Sequence, residues 1–128
     1  MRIFEIVTEP VDDNNKESYH RALLDKEQKF FKKVADAILH LVEDAVEIWL
    51  HGSRATGEFR RNSDWDFVVF LPELSSDRNI ELHTIGGGSL GDLSIIAGRR
   101  VDVQAEDIHS NDYFTRIVRD EGVRIWKK

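Results

Sequence analysis

The chain has 128 residues, 41% of them hydrophobic, a formal net charge of −6 and no cysteine. These numbers favour one compact domain, residues 1–128, with a single core and no room for a second substrate-binding domain, and they exclude disulfides and cysteine-ligated zinc. The acidic balance argues against an extended nucleic-acid surface, which needs clustered Lys and Arg, and the lack of a membrane-length apolar run or a signal-peptide pattern predicts a cytoplasmic protein.

The first part of the chain predicts a short strand followed by a long helical segment. Residues 2–7 have the pattern of a strand, and a turn rich in Asp and Asn follows them. Apolar residues then recur at helical spacing, at Phe30, Val34, Ile38, Leu41 and Val42. Residues 16–43 are therefore predicted to form one amphipathic helix or two joined ones. We interpret residues 1–27 as an N-terminal strand and helix extension and as a candidate partner-facing surface.

A glycine-serine turn follows the next predicted strand, residues 46–50. Gly52 lets the backbone come close to an anion, and Ser53 adds a hydroxyl group at the start of a helix. Arg54 adds a positive charge at the same turn. We predict that these three residues bind the phosphates of a nucleotide. Ser63 is a further candidate nucleotide-binding residue, and it is also expected to brace the loop that enters the next strand.

Two aspartates open that strand, which is predicted over residues 64–70. Side chains at i and i+2 share a face of a strand, so the carboxylates of Asp64 and Asp66 should project together, roughly 6.6 Å apart. Trp65 and Phe67 then point the opposite way, into packing. The two carboxylates would repel each other by about 2.5 kcal/mol at an effective dielectric of about 20, and a divalent metal such as Mg²⁺ is the natural compensation.

A third acid lies further along the chain. Asp102 is flanked by Val101 and Val103, and this alternation predicts a short strand. If that strand neighbours the strand of the first two acids, three carboxylates converge on one site. Each motif alone favours a structural role, but their joint spacing favours function.

The remaining segments are assigned from turn residues and periodicity. We predict, in chain order, a loop, a strand or extended loop, a short helix, a last helix and a closing strand, at residues 75–79, 80–85, 89–97, 111–119 and 123–126. Gly98 is expected to end the short helix, and Ser110 or Asn111 to cap the last one. The triple glycine from Gly86 to Gly88 fits a flexible hinge or lid better than a dinucleotide-binding motif.

Taken together, these motifs resemble the minimal nucleotidyltransferases of the polymerase-beta-like superfamily. Gly52-Ser53 and the pair Asp64 and Asp66 stand at the spacing of that family's signature, and Asp102 stands where its third acid is expected. The resemblance implies an α/β (α+β) fold with a small mixed or antiparallel sheet flanked by helices. It also implies Mg²⁺-dependent transfer of AMP from ATP to a hydroxyl group.

The resemblance further implies roles for the three acids and a partner. Asp64, Asp66 and Asp102 would be the catalytic residues and would hold two Mg²⁺ ions, with Asp102 able to take the proton of the acceptor hydroxyl. Stand-alone minimal domains resemble antitoxins that add AMP to a tyrosine of a HEPN-type toxin, and this is the expected acceptor. Two alternatives stay open: transfer to a small molecule such as an aminoglycoside, in a homodimer, and a non-catalytic module that binds its partner by contact alone.

Overall fold

In the part of the chain that the structure describes, two helices precede the sheet. The structure is a computed structural model that describes residues 15–86, 90 and 93–128. The helices are α1 (Lys16–Lys26) and α2 (Gln28–Leu41), joined at the non-helical Glu27. Of the two predicted arrangements, the pair of joined helices is therefore the correct one. The strand predicted over residues 2–7 lies outside the described residues.

The second helix supplies much of the core. Its buried side carries large apolar residues at three- and four-residue spacing, at Phe30, Phe31, Val34, Ala35 and Ile38. Such a stripe turns one side of a helix toward the sheet, and each large apolar side chain buried this way contributes about 1.5–3 kcal/mol relative to exposure. α1 buries far less, with Leu23 as its buried residue.

A five-stranded mixed sheet forms the centre of the fold. Its strands are β1 (Glu47–His51), β2 (Trp65–Leu71), β3 (Ile95–Ile96), β4 (Arg99–Asp107) and β5 (Val123–Lys127). Their spatial order is β3-β4-β2-β1-β5. β2 and β4 run parallel, and the other neighbouring pairs run antiparallel. The predicted fold class, a small mixed or antiparallel sheet flanked by helices, is confirmed in its mixed form, and β5 closes the sheet beside β1.

Three further helices connect the strands. They are α3 (Ser53–Thr56), α4 (Ser76–Gly86) and α5 (Tyr113–Glu121). The Asp112 side chain caps α5 by accepting a hydrogen bond from the Thr115 backbone N–H at 2.8 Å, so the cap lies just beyond the predicted Ser110 or Asn111. Among the described residues, no helix is long and apolar enough to cross a membrane.

The two faces of the sheet pack against different helices. Phe67 and Val69 belong to the larger apolar cluster, and the Phe67 ring lies 6.2 Å from that of Phe30 on α2. The predicted packing of Phe67 is thus confirmed. Val68 and Phe70 point the other way and form a second cluster with α5. We call these two surfaces the α2 face and the α5 face.

The prediction for the segment after β2 is wrong. Residues 80–85, predicted as a strand or extended loop, belong to α4, as do most of residues 75–79. The Ser75 hydroxyl accepts a hydrogen bond from the Arg78 backbone N–H, and the Arg78 guanidinium pairs with Asp44 at 2.7 Å. These contacts favour a helix where the apolar pattern is weak.

A hairpin replaces most of the helix predicted over residues 89–97. β3 pairs with the start of β4, and the connecting Ala97 and Gly98 have φ values of 53° and 78°. Two successive residues with positive φ form the usual two-residue turn between antiparallel strands. Gly98 therefore turns a hairpin instead of ending a helix. Residues 87–89 lie outside the described residues, so the glycine hinge stays a prediction.

Candidate active site

His51, Asp66 and Asp102 lie side by side on three neighbouring strands. β1 pairs His51 with Asp66, and β4 pairs Asp102 with Asp66. Residues directly opposite on paired strands point to the same face, which is the α5 face because Val68, two positions after Asp66, packs there. We call these three residues the polar row. It crosses the three inner strands, β4, β2 and β1.

Asp66 is half-buried and lies near two other carboxylates. Burial, and then the charges of Asp102 and Asp64, raise its pKa from 3.8 to about 6. A carboxylate whose pKa is raised in this way lies in a potential that a cation would relieve. The polar row therefore favours cation binding.

Asp64 lies beside the row, but its side chain is directed toward Arg100. It immediately precedes β2, which begins one residue later than predicted, and its half-exposed carboxylate pairs with Arg100 Nε at 3.1 Å. Among the residues that the structure describes, no three acidic or histidine side chains are placed to hold one ion. The three carboxylates are thus close enough for the charges of Asp64 and Asp102 to affect Asp66, but, contrary to the expectation, they do not converge on one ion position. Like charges repel, and Arg100 gives Asp64 a cation outside the row.

Gly52 brings the glycine-serine turn against Asp66. Its φ is +75°, and a Cβ atom built at this position would lie 2.5 Å from Asp66 Oδ2. A larger residue would be strained at this φ and would displace the carboxylate. α3 begins directly after it, at Ser53. The turn predicted to bind phosphate therefore adjoins the polar row.

Arg54 is buried beneath the loop that leads to the acids. Its guanidinium donates hydrogen bonds to the carbonyl oxygens of Ser63 and Arg61, both at 3.1 Å. It also lies over the rings of Phe59 and Trp65, 4.4 and 4.6 Å from their centroids. Hydrogen bonds from a charged donor contribute about 1.5–3 kcal/mol each. Arg54 is therefore a positioning residue for this loop.

Ser63 braces the same loop from within. Its Oγ accepts a hydrogen bond from the Arg60 backbone N–H at 2.8 Å, which confirms the predicted brace. Its carbonyl oxygen also holds Arg54. The two residues together fix the path of the chain from the turn to the acids. Direct contacts of Ser63 and Arg54 with a nucleotide stay predictions.

His51 is enclosed although it is polar. Its Nε2 atom is buried and has no hydrogen-bond partner among the described residues, and its ring meets that of Phe114 edge-on with centroids 5.2 Å apart. Burial lowers the pKa of His51, against an opposing effect of the Asp102 charge. Sequence reasoning missed this residue, because the register that sets it beside Asp66 is not visible in a single chain.

The helix of the N-terminal extension holds the short helix that follows the turn. Tyr19 Oη donates a hydrogen bond to the Arg54 carbonyl oxygen at 2.8 Å, and His20 Nε2 lies 2.8 Å from the Ala55 carbonyl oxygen. Burial raises the pKa of Tyr19 to about 12, which keeps the hydroxyl a donor. α1 is therefore part of the support of the site, a role that no local sequence pattern signals.

A comparison with known protein families supports the interpretation of this geometry as an active site. A sequence model described as a nucleotidyltransferase domain matches residues 31–125, three quarters of the chain. The chain belongs to the nucleotidyltransferase domain family. The match contains the glycine-serine turn, all three aspartates and every strand except the last residues of β5.

The following proteins resemble this nucleotidyltransferase domain and share 30% or less of their sequence with it over the matched residues. A protein adenylyltransferase MntA from Aphanizomenon flos-aquae is 30% identical over 83 residues, which is 62% of this chain and 55% of that protein. The chain thus spans about half the length of the curated relative it matches. Two solved structures match at TM-scores of 0.50 and 0.51, with 22% and 24% identity, over 77% of this chain and 73% of theirs. They are a toxin-antitoxin MntA-HpeT mutant and a toxin-antitoxin with AMP-PNP, and at this identity they establish the fold alone.

The donor chemistry of the nucleotidyltransferase site fits Mg²⁺. Mg²⁺ prefers one or two carboxylates together with phosphate oxygens and water over a cage made wholly of protein groups. Asp66 and Asp102 offer the carboxylates, and the pKa of Asp66 is raised first by burial and then by the charges of Asp102 and Asp64. Asp64 could join them by leaving Arg100.

Proposed function

We propose that this domain transfers AMP from ATP to a hydroxyl group of a protein partner, a tyrosine of a HEPN-type toxin, and so acts as the antitoxin of a pair. The observation that carries the proposal is the contact between Gly52 and Asp66, with Asp102 in register on the next strand. A phosphate-binding turn and paired carboxylates are the parts that nucleotidyl transfer needs. The names of the matched proteins, an adenylyltransferase and two toxin-antitoxin structures, support the direction of the proposal.

The nucleotide would be held by the turn and the acids together. The backbone amides at Gly52 and Ser53, with the Ser53 hydroxyl, bind the β- and γ-phosphates. Asp64, Asp66 and Asp102 are the residues that would hold two Mg²⁺ ions. When bound, Mg²⁺ neutralises the triphosphate and favours the charge that develops on the leaving pyrophosphate.

The chain's own groups then position the reaction. Asp102 accepts the proton of the acceptor hydroxyl, whose oxygen attacks the α-phosphate as pyrophosphate leaves. His51, a member of the row, packs edge-on against the Phe114 ring, which fixes that end of the row. Arg54 and Tyr19 hold the turn and the loop in their relative positions, so positioning supplies much of the rate.

The test is a transfer assay with the product of the neighbouring gene. The domain, ATP, Mg²⁺ and that protein are incubated together, and the partner is weighed by intact-mass spectrometry and mapped by peptide sequencing. We expect one or more AMP groups on a tyrosine, and none with Asp66→Asn or Asp102→Asn. Asp36→Asn is the matched control, since this exposed aspartate lies on α2, where it pairs with Lys32.

Other outcomes would replace the proposal. Partner binding without a change of mass would support the contact module. Transfer only to an added aminoglycoside or similar small molecule would support small-molecule modification, and equilibrium sedimentation of the domain alone would then show whether it is a homodimer.

A further inference from the structure

A pocket opens at the starts of β2 and β4, next to α1. Its volume is about 570 Å³, within the range of small-molecule sites. Trp65, which packs against Phe30 on the α2 face, forms part of its wall, while the turn residues Gly52 and Ser53 and the polar row take no part in its described lining. The pocket therefore adjoins the proposed nucleotide site and shares Arg54 and Ser63 with the residues predicted to bind the nucleotide, but it lies apart from the turn and the polar row.

The lining of this pocket is strongly cationic. Among the described residues that line it, five are basic and one is acidic, namely Lys26, Arg54, Arg61, Arg99 and Arg100 against Glu27. The chain as a whole carries a net charge of −6, so this concentration of positive charge runs against its average. A concave surface with charge of one sign attracts and retains a ligand of the opposite sign. We call it the basic pocket.

The arginines of the basic pocket are held in place. Arg99 pairs with Glu27 at 2.9 Å and lies 4.4 Å from the Phe30 ring centroid. Arg99 also lies 5.2 Å from the Trp65 ring centroid, and Arg54 lies 4.6 Å from it. Because guanidinium groups already lie over the indole ring, a nucleobase would have to displace one of them to stack there. Recognition therefore depends on charge, and the matching ligand is a compact polyanion.

We propose that the basic pocket binds a compact oligophosphate of the pyrophosphate class. Guanidinium groups match phosphate oxygens in pairs, and oligophosphate has a higher charge for its size than a carboxylate. Arg100 connects this pocket to the polar row, since it lines the pocket and also pairs with Asp64 at 3.1 Å. An oligophosphate and Asp64 compete for Arg100, so occupancy of the pocket releases Asp64 toward Asp66.

The test measures binding in the complete chain without any transfer reaction. Its outcome therefore does not depend on whether the proposed transfer activity is correct. Trp49→Phe and Trp126→Phe leave Trp65 as the only tryptophan, because the chain has three. Inorganic pyrophosphate is titrated in buffer with EDTA, and the Trp65 emission is recorded. Calorimetry on the unmodified chain repeats the measurement without the tryptophan changes. We expect saturable binding by both methods.

Variants locate the ligand. The double variant Lys26→Ala with Arg61→Ala should weaken pyrophosphate binding by roughly tenfold or more, since it removes two charged donors. Asp64→Asn should tighten binding by about two- to fivefold, because coupling between sites is reciprocal and Arg100 loses its competitor. Arg124→Ala, whose residue pairs with Glu47 outside the pocket, should leave binding unchanged.

Three results would overturn the proposal. If Ser53→Ala weakened pyrophosphate binding while the double variant left it unchanged, the anion would lie at the glycine-serine turn. Equal affinity for a tetraglutamate peptide would show that the pocket does not select phosphate, and an absence of saturable binding by both methods would remove the site. A titration with ATP in the same buffer shows whether the pocket takes the phosphates of a nucleotide or free oligophosphate. If the double variant lowers the affinity for ATP, the pocket holds the phosphate tail of a nucleotide. If the affinity for ATP is unchanged, the ligand is free oligophosphate.

Discussion

Replacing Asp66 by Asn should stabilise the fold at neutral pH while abolishing transfer. Burial and the charges of Asp102 and Asp64 raise the pKa of Asp66 from 3.8 to about 6. That difference corresponds to about 3 kcal/mol between the ionised and the neutral carboxyl group. The side chain is only half-buried, so screening by solvent reduces the effect on stability to about 1–2 kcal/mol.

The sign of the effect follows from the direction of the pKa change. The folded protein binds the Asp66 proton more tightly than the unfolded chain does, so the associated stability is fully present below about pH 4 and is lost as the pH rises through about 6. Near neutral pH, the ionised carboxylate therefore costs free energy of folding. The amide of Asn carries no charge, and it removes this cost in the absence of divalent metal.

Urea unfolding tests this expectation in buffer with EDTA. The free energy of unfolding of Asp66→Asn should exceed that of the parent by about 1–2 kcal/mol at about pH 7.5, and the two should nearly agree at about pH 3.5. Asp36→Asn, at an exposed position on α2, should change the free energy by less than about 0.5 kcal/mol at either pH. A variant less stable than the parent at neutral pH, or a gain of equal size at both pH values, would refute the electrostatic reasoning.

Three other substitutions probe the support of the site. Gly52→Ala should lower the free energy of unfolding by more than about 1 kcal/mol, because its Cβ would meet Asp66 Oδ2 at a φ of +75°; an unchanged Tm would contradict this. Tyr19→Phe removes the donor to the Arg54 carbonyl and should cost about 1 kcal/mol of stability and raise KM for ATP more than it lowers kcat; kinetics with a kcat loss alone would argue against a positioning role. Arg54→Lys keeps the charge but loses the planar donors to Ser63, so thermal unfolding should reveal a loss of about 2 kcal/mol; full stability with weaker ATP binding would instead assign Arg54 to the phosphates.

The parts of the site that sequence could predict are those set by local rules. Alternation along a strand separates the side of Asp66 from that of Trp65 and Phe67, and the structure buries both aromatic residues as expected. The need for glycine at Gly52 also follows locally, from a turn that must come close to a charged group. The small mixed or antiparallel sheet was implied by the resemblance to the nucleotidyltransferases, and the structure has the mixed form.

The parts that sequence could not predict depend on contacts between distant residues. His51 joins the row only because β1 pairs with β2 in one particular register. Arg100 on β4 pairs with Asp64 just before the neighbouring strand β2. Tyr19 on α1 donates a hydrogen bond to the backbone of Arg54 on α3. A single sequence carries no signal of such pairings. The hairpin before β4 was missed because Gly98 also fits a helix end, and only the positive φ of its neighbour Ala97 distinguishes the two.

The most direct test of the central claim is a crystal structure of the domain with Mn²⁺ and a non-hydrolysable ATP analogue. The account predicts anomalous density for manganese in contact with Asp66 and Asp102, with the triphosphate against Gly52 and Ser53. Metal bound away from both carboxylates, or a triphosphate that avoids the turn, would contradict it.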